Sequence, residues 1–577
     1  MLIWEGPMKL KAPDAVAATA RSPINWFLGI CLAAFLTTIY ASSAVAKTGA
    51  GGLSPAEKWV VAQATAGEIA DLSKQFPEEK NRQLSAHFLE DLLTGTLPGV
   101  KLHRHGVRII GATIDEPVDL ENTQILCEAW LEHCQFNASA TFDGASFTGA
   151  ISFDSSTFKA EVSFNGMKVG GVASFEDAVF EGPADFIGAD IVSEFHMDGA
   201  KFKAEASFNG MKVGGVALFE DAVFEGSVHF VGADIVSLFD MDGAKFQNKK
   251  KTVDFNTMKI GGAGLFNDAV FEGPVDFDLA NIAGGFVAVG AKFQNKENKA
   301  IFAGMKVGGF AFFHDAVFEG PVDFVSADIA GQFGALRAKF QSEANFNSMK
   351  VGGAAFFNDA VFEGPVDLSY ADFGALSLVN TVWPKVAGQF HMQGMSYKYI
   401  RAVREDEPKS HEELLKLANQ SAYTADVYGN LEDFFKRQGY RADADRAFIA
   451  GKCRERKQYF HSDDWFRWLG SWMLYLLVGY GRRPWQAGIP LAVLITLGSI
   501  LFSPEKMELQ KSEDARGVYS RFWYSLGLFL PVVDLQADKV WKPKADQTFL
   551  RNYMRVHALL GWILIPIFLA ALAGLIK

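Results

Sequence analysis

One phrase recurs five times in the middle of this chain. The run Phe-Asn-Gly-Met-Lys-Val-Gly-Gly begins at Phe164, and the same phrase or a close variant begins at Phe208, Phe255, Phe302 and Phe346. The intervals are 44, 47, 47 and 44 residues, and Asp-Ala-Val-Phe-Glu-Gly follows each copy. A fixed period of this length is typical of solenoids, in which each repeat packs only against its neighbours. Because a catalytic site is used once, residues repeated five times are expected to be structural.

Large apolar residues within one repeat are separated by alternating steps of five and six residues, which fill the 44-residue interval from Phe164 to Phe208. Neither the period of a helix nor that of a strand fits this series. A chain that turns a corner after each step and points one large side chain inward does fit it. Alanine often stands two residues before these positions, which would let coils stack closely. The predicted core includes Phe164, Phe175, Phe180, Phe186, Phe208, Phe219, Phe224 and Phe230.

Two short motifs link this pattern to a known family. Gly-Ala-Asp-Ile at 188–191 and Ser-Ala-Asp-Ile at 326–329 are close to the consensus A-[DN]-[LF]-x-x, so the chain resembles pentapeptide-repeat proteins. The resemblance implies a right-handed, four-sided β-helix. Steps of five and six give about 22 residues per coil, and residues 101–395 then hold roughly 13 coils, a rod on the order of 60 Å at the usual strand spacing. The extra residues of the 47-residue intervals, near 249–251 and 295–297, are expected in surface loops.

The N-terminus predicts export from the cytoplasm. Basic residues precede the apolar run 26–40, and small residues ending at Ala46 follow it. This order is typical of a signal peptide, here residues 1–46, with an uncleaved anchor as the alternative. Either interpretation places the residues that follow outside the cytoplasm. The chain resembles bacterial pentapeptide-repeat proteins with a C-terminal membrane module, and this resemblance implies a protein of a bacterial cell membrane whose repeat domain lies in the periplasm.

Helices are predicted between the signal peptide and the repeats. Residues 47–100 should form a cap that closes one end of the rod, as stacked repeats require. A first helix is predicted from Ser54 to about residue 74, and a second over about 78–94. Gly95 is placed to end the second helix.

A basic helical hairpin is predicted over residues 396–464, with its turn at Gly439. It carries the one concentration of basic residues, just before the membrane domain. Two interpretations stay open, contact with anionic lipid headgroups and a solvated helix face. The residues predicted for lipid contact, in the hairpin and just beyond it, are Arg454, Arg456, Lys457, Arg482 and Arg483.

Residues 465–577 predict a membrane domain. Two uncharged or nearly uncharged runs, about 485–503 and 556–576, are long enough to span a bilayer. The apolar segment 468–480 would reach only ~20 Å as a helix, short of a ~30 Å hydrocarbon core. It therefore predicts an interfacial helix, with a third span as the alternative.

A short apolar segment, 522–535, lies between the two long runs. The order of helix, short segment and helix is similar to the two-helix pore module of ion channels. Pro531-Val-Val-Asp534-Leu stands where a potassium channel has its filter, so a re-entrant or interfacial helix is expected. Asp534 and Pro531 are the candidate membrane-functional residues, because a carboxylate inside a membrane is usually functional.

Some polar residues and glycines recur at the same position in each repeat and are candidate binding sites. The column of Glu181 and the column of Asp185 could bind calcium or a basic partner, but corner capping and solvation explain them better. Gly170-Gly171 and its copies lack the context of a phosphate loop. Left-handed corners or close approach of coils are the expected reasons for these glycines.

Few other residues suggest chemistry. His103-x-His105 would present two metal ligands on one face of a strand, but no third ligand is near in sequence. Of 4 cysteines, Cys127 and Cys134 could pair outside the cytoplasm, although two unpaired thiols are the expected state. The formal net charge of −12 argues against nucleic-acid binding.

These observations predict a non-enzymatic, membrane-anchored scaffold that presents its rod to a protein or envelope partner. We expect no catalytic site, cofactor or metal, and no nucleic-acid partner; the identity of a protein partner and homo-oligomerisation stay open. The alternative is a channel-like or transport-associated membrane protein in which the rod acts as sensor or gate.

Overall fold

The computed structural model describes residues 52–386, 388–402, 407–462, 464–510, 519–530 and 540–573. The predicted signal peptide, 1–46, lies outside them. Residues 107–401 form a parallel β-solenoid of about 13 turns, each built from four short strands. A new strand begins every five or six residues, as in the strands Val162–Ser163, Lys168–Val169, Ala173–Ser174 and Val179–Phe180.

Four parallel sheets run along the solenoid, here called faces 1 to 4 in chain order. Their first strands are Val107–Ile110, Thr113–Ile114, Val118–Asp119 and Gln124–Ile125. Face 2 ends at Val361–Phe362 after 12 strands and face 3 at Phe390–His391 after 13. Faces 1 and 4 merge at the C-terminal end through three longer strands, Lys350–Phe356, Asp372–Ser377 and Ser396–Arg401.

The strand register confirms the predicted coil length. Partners such as Ile151 and Ala173 are 22 residues apart. Where the repeat interval is 47, the partners on face 3 are 25 apart, as for Val228 and Val253. The three extra residues lie in exposed loops outside the sheets, so the inward columns continue without a break.

Stacked phenylalanine rings fill the interior. On face 2 they form a continuous column from Phe136 to Phe362, with ring centroids 4.6–5.2 Å apart. On face 3 a second column runs from Phe142 to Phe346 at 4.5–5.3 Å. The eight phenylalanines predicted for the core are all buried. Such stacked and edge-on pairs stabilise the core beyond the area they bury.

The interior of face 1 explains why the sequence repeats every two coils. In one coil the first inward position holds a small residue and the second a phenylalanine, as in Ala173 and Phe175. The next coil has Phe195 at the first position and Met197 at the second. At the first position a large residue therefore lies between small ones, as Phe195 does between Ala173 and Ala217, which fills the space between coils without overpacking.

The N-terminal cap contains three helices: α1, Pro55–Ala66; α2, Leu72–Gln75; and α3, Ala86–Thr94. The first predicted helix was too long, because Gly67 adopts φ +77° and the chain then forms the strand Ala70–Asp71 on the edge of face 1. The second begins later than predicted, at the N-cap Ser85, and ends at Gly95 with φ +72° as expected.

Among the described residues after the solenoid there are seven α-helices: α4, Glu407–Gln420; α5, Ala425–Arg437; α6, Arg441–His461; α7, Trp465–Val478; α8, Gly488–Leu501; α9, Arg521–Phe529; and α10, Thr548–Leu572. The strands Met507–Leu509 and Trp541–Pro543 pair between α8 and α10. The predicted hairpin is α5 and α6, which turn at Gly439 with φ +89°.

Helix α5 closes the C-terminal end of the solenoid. The Asn430 amide donates to the Met395 carbonyl at 2.8 Å, and the Arg437 guanidinium donates to the Tyr397 carbonyl at 3.2 Å. The ring of Phe434 packs edge-on against Tyr397. The last coil would otherwise expose unpaired edge groups, so the hairpin acts as a second cap.

Candidate functional site at the membrane junction

The acidic columns of the solenoid cap backbone groups at its corners and form ion pairs on its surface. Oδ1 of Asp276 accepts a hydrogen bond from the backbone N–H of Asp278 two residues on, at 2.7 Å. Oδ1 of Asp323 accepts in the same way from the N–H of Val325 at 3.0 Å. The glutamates lie outside the sheets, where Glu181 pairs with Lys203 at 2.7 Å. These contacts agree with the structural interpretation of the columns.

Only one of the two reasons expected for the paired glycines applies. Gly170 and Gly171 do not adopt a left-handed conformation, which falls instead on Gly166 and on Asp177 at the corners. A Cβ atom on Gly170 would lie 2.5 Å from the Thr148 carbonyl oxygen of the preceding coil. Close approach of adjacent coils therefore requires these glycines.

The scattered histidines and cysteines do not gather into a site. His103 and His105 lie in a loop before face 1, not on a strand, and their rings meet edge-on at 4.4 Å. Cys127, Cys134 and Cys453 are free thiols, and burial raises the pKa of Cys134 to about 12. Within the described residues no three acidic, histidine or cysteine side chains are grouped closely enough to hold a metal ion.

Three of the five bases predicted to contact lipid have partners inside the protein. Arg454 donates to the carbonyls of Asn419 and Ser421 at the end of α4. Arg482 pairs with Glu432 at 2.5 Å and Asp445 at 3.3 Å, which ties the chain after α7 to the hairpin.

Arg456 is the most deeply enclosed of these bases. Its guanidinium carbon lies 3.8 Å from the centre of the Trp472 ring and 5.0 Å from that of Tyr475, and it donates to the Tyr480 hydroxyl at 3.2 Å. Only 9% of its surface is exposed. Of the other two predicted bases, Lys457 is exposed and Arg483 is half-buried.

The segment after α7 is a tight elbow. Gly479, Tyr480 and Gly481 have φ values of 53°, 55° and 83°, three left-handed residues in a row. Tyrosine rarely adopts this conformation, so its surroundings must hold it there. The Tyr480 hydroxyl does so through its bonds to Arg456 and to Ser471, the latter at 2.8 Å.

Two helices beyond the elbow are long and apolar enough to cross a membrane, Pro484–Leu501 and Thr548–Ala570. They lie antiparallel, because one cluster joins the start of the first to the end of the second. This cluster contains Val478 and Ala487, with Ile567 and Phe568 against them. A second cluster joins the opposite ends, with Phe502, Met507, Tyr524 and Leu550.

The short helix α9 packs between the two long helices and reaches their middle. Tyr524, near its start, lies in the cluster with Leu550, whereas a Cβ atom on Gly561 of α10 would lie 2.1 Å from the Phe529 carbonyl oxygen. Helix α9 thus runs along about half of α10, as a re-entrant helix would. Asp534 and Pro531, which follow it, lie outside the described residues.

A buried polar cluster joins these three helices. Nε2 of His557 on α10 lies 3.2 Å from the Ser525 hydroxyl and 3.1 Å from the Ser525 carbonyl oxygen. That hydroxyl donates to the Ile495 carbonyl on α8 at 2.8 Å, and the Tyr553 hydroxyl lies 3.4 Å from Nδ1 of His557. His557 is not among the residues predicted from the sequence, although it is the only ionisable residue in the predicted span 556–576.

The comparisons with known proteins address the repeat region alone. A family model described as pentapeptide repeats, in 9 copies, matches residues 164–212. No curated protein and no solved structure matches the chain.

Proposed function

We propose that this chain, in which residues 164–212 match the pentapeptide-repeat family model, is a non-enzymatic, membrane-anchored scaffold. Its solenoid lies outside the cytoplasm of a bacterial cell and presents its faces to a protein or envelope partner. The C-terminal helices anchor it in the cell membrane. Neither cofactor nor nucleic acid takes part.

The observation that carries this proposal is the outer surface of face 1. Its outward column begins with Arg108 and Trp130 and continues through the polar residues Ser152, Ser174 and His196. From Leu218 to Phe356 it is apolar apart from Asp240 and Gly334, with Leu218, Leu265, Val287, Phe312 and Phe356, and it ends in Ser377 and Arg401.

An aromatic pair, Phe310 and Phe312, lies within this apolar stretch. Phe310 is 41% exposed, and its ring stacks on Phe312 at 4.6 Å, which in turn stacks on His314 at 4.8 Å. Aromatic side chains inside a polar rim are the usual centre of a protein–protein interface. Face 4 is different, because lysine and aspartate alternate along it, as in Lys168, Asp190 and Lys212.

Site-specific photo-crosslinking in intact cells tests the scaffold function. A photoreactive amino acid at Phe310 on face 1 should give one discrete protein adduct, and the same group at exposed Lys259 on face 4 should not. Equal labelling from both positions, or none from Phe310, would contradict a partner on face 1. Reporter fusions at residues 400 and 540 test the topology, and a cytoplasmic residue 400 would contradict the proposed placement of the rod.

A second candidate function is channel-like or transport-associated activity with the rod as sensor or gate. It is favoured by α9 between the two long helices and by the polar cluster around His557, since an ionisable group inside a membrane domain is often functional. The test is ion flux through liposomes that contain the full chain. Flux that is lost on Asp534→Asn or His557→Leu, but kept on Phe310→Ala, would favour this function over the scaffold.

A further inference from the structure

Helix α7 ends beside the start of the first long helix and the end of the second. Its last residue, Val478, packs with Ala487 at the start of the first long helix and with Phe568 near the end of the second. It has 14 residues and so spans about 21 Å, too short for a hydrocarbon core of about 30 Å. The left-handed elbow at Gly479 and Tyr480 prevents it from continuing into the next helix.

The two sides of α7 have different environments. One side carries Trp472 and Tyr475, which enclose Arg456 of α6. The other side carries Phe466, Leu469, Met473 and Leu476, which recur at steps of three and four residues and are all exposed, Phe466 by 70%. An unpartnered apolar stripe at this spacing is typical of a helix that packs against another apolar phase.

The two long helices also expose apolar side chains. Val493 and Trp562 are as exposed as the stripe on α7, at 58% and 65%. A single bilayer would cover the exposed apolar side chains of all three helices. Arg454 and Arg456 of the hairpin and Arg482 after α7 are held by protein groups, so these three bases are not free to attach to anionic headgroups.

We infer that α7 is an interfacial helix whose apolar stripe is buried at the boundary between lipid headgroups and acyl chains. The inference rests on the proposed membrane anchoring. Arg456 and the elbow fix the orientation of α7, so the helical hairpin lies against the membrane surface. The rod therefore meets the membrane at its C-terminal coils. Attachment of α7 depends on apolar insertion and not on headgroup charge.

Depth-dependent fluorescence quenching tests this placement in the full chain. A fluorescent amino acid is introduced at Leu469 or, in a second variant, at Met473, and the protein is reconstituted in phosphatidylcholine vesicles. Matched labels stand at Val493 in the first long helix and at exposed Lys212 on the solenoid. Lipids brominated near the headgroup or near the bilayer centre act as quenchers.

We expect shallow bromines to quench the α7 labels strongly and deep bromines weakly, with the reverse order at Val493 and no quenching at Lys212. Phosphatidylglycerol or high salt should leave the α7 result unchanged. If the α7 labels are quenched most from the bilayer centre, or escape quenching while Val493 does not, α7 spans the membrane or is covered by protein, and the inference fails. Insertion only in anionic vesicles would also overturn it. An unquenched label at Val493 would instead contradict the membrane anchoring itself.

Discussion

At the scale of single residues, stability depends on whether a side chain joins the stacked interior. Phe208 is fully buried and lies 5.2 Å from Phe186 and 4.6 Å from Phe230, with their rings stacked. Phe310 has a similar stacking partner but lies outside the sheet. The same amino acid therefore has two roles in this chain, which its position in the coil decides.

Replacing a stacked phenylalanine should open a cavity that the stiff coils cannot close. We expect Phe208→Ala to lower the free energy of unfolding by about 3–5 kcal/mol. Phe310→Ala is the matched control and should cost about 1 kcal/mol or less. Urea unfolding of the full chain in detergent, followed by circular dichroism, measures both. Equal losses would contradict the assignment of Phe310 to the surface.

The charge of Asp185 should reduce stability at neutral pH. Burial raises the pKa of Asp185 above its usual 3.8, and the carboxylates of Glu161, Glu205 and Asp143 raise it further. The folded state therefore holds this proton more tightly, and its stability falls as pH rises from 3.8 through the folded pKa. Asp185 is partly exposed, so solvent screens its charge and keeps the effect small. We expect Asp185→Asn to stabilise the protein by about 0.5 kcal/mol at pH 7, with the gain vanishing below pH 3.8.

Asp190 provides the control for this prediction. It lies between Lys168 and Lys212 on face 4, so its charge has partners of opposite sign. Asp190→Asn should leave the melting temperature at pH 7 unchanged or slightly lower. A gain of the same size in both variants would mean that net charge, not the local environment, sets the effect.

At the scale of elements, the elbow after α7 connects the hairpin to the membrane domain. Its left-handed Tyr480 is held by Arg456 and Ser471, and Arg482 beyond it is held by Glu432. Two separate sets of polar contacts thus tie the elbow to the hairpin and to α7. Such networks become costly when one member is removed, because the remaining groups lose their partners.

We expect Arg456→Met to loosen the elbow, since the variant keeps the packing of the side chain but loses its charge and hydrogen bond. A loss of about 2 kcal/mol would raise the rate of tryptic cleavage at Arg482 and Arg483 roughly 30-fold, if cleavage follows local opening. The control Lys457→Met removes one exposed base from the same helix and should leave that rate unchanged. Similar rates in both variants would show that Arg456 does not hold the elbow.

At the scale of the whole molecule, each coil contacts only its two neighbours, and both ends of the solenoid are closed by helices. Stability in such a chain is close to a sum of terms between neighbours. We therefore expect hydrogen–deuterium exchange to be slowest in the central coils, about residues 164–346, and to quicken toward both caps. Uniform exchange along the rod would instead indicate that the solenoid opens as one cooperative unit.

The solenoid, its 22-residue coil and its inward phenylalanines are predictable from the sequence, because every stacked coil has the same local environment and so needs the same residues at the same spacing. The two long apolar helices are predictable as well, since their length and composition are local properties. Which bases are held by the protein depends on the folded structure, because Arg456 and Arg482 contact partners on other helices. The same is true of His557, whose contacts with Ser525 join segments that are distant in sequence. Contacts of this kind occur once and produce no repeating pattern in the sequence. They form between residues that are distant in the chain and that only folding brings together.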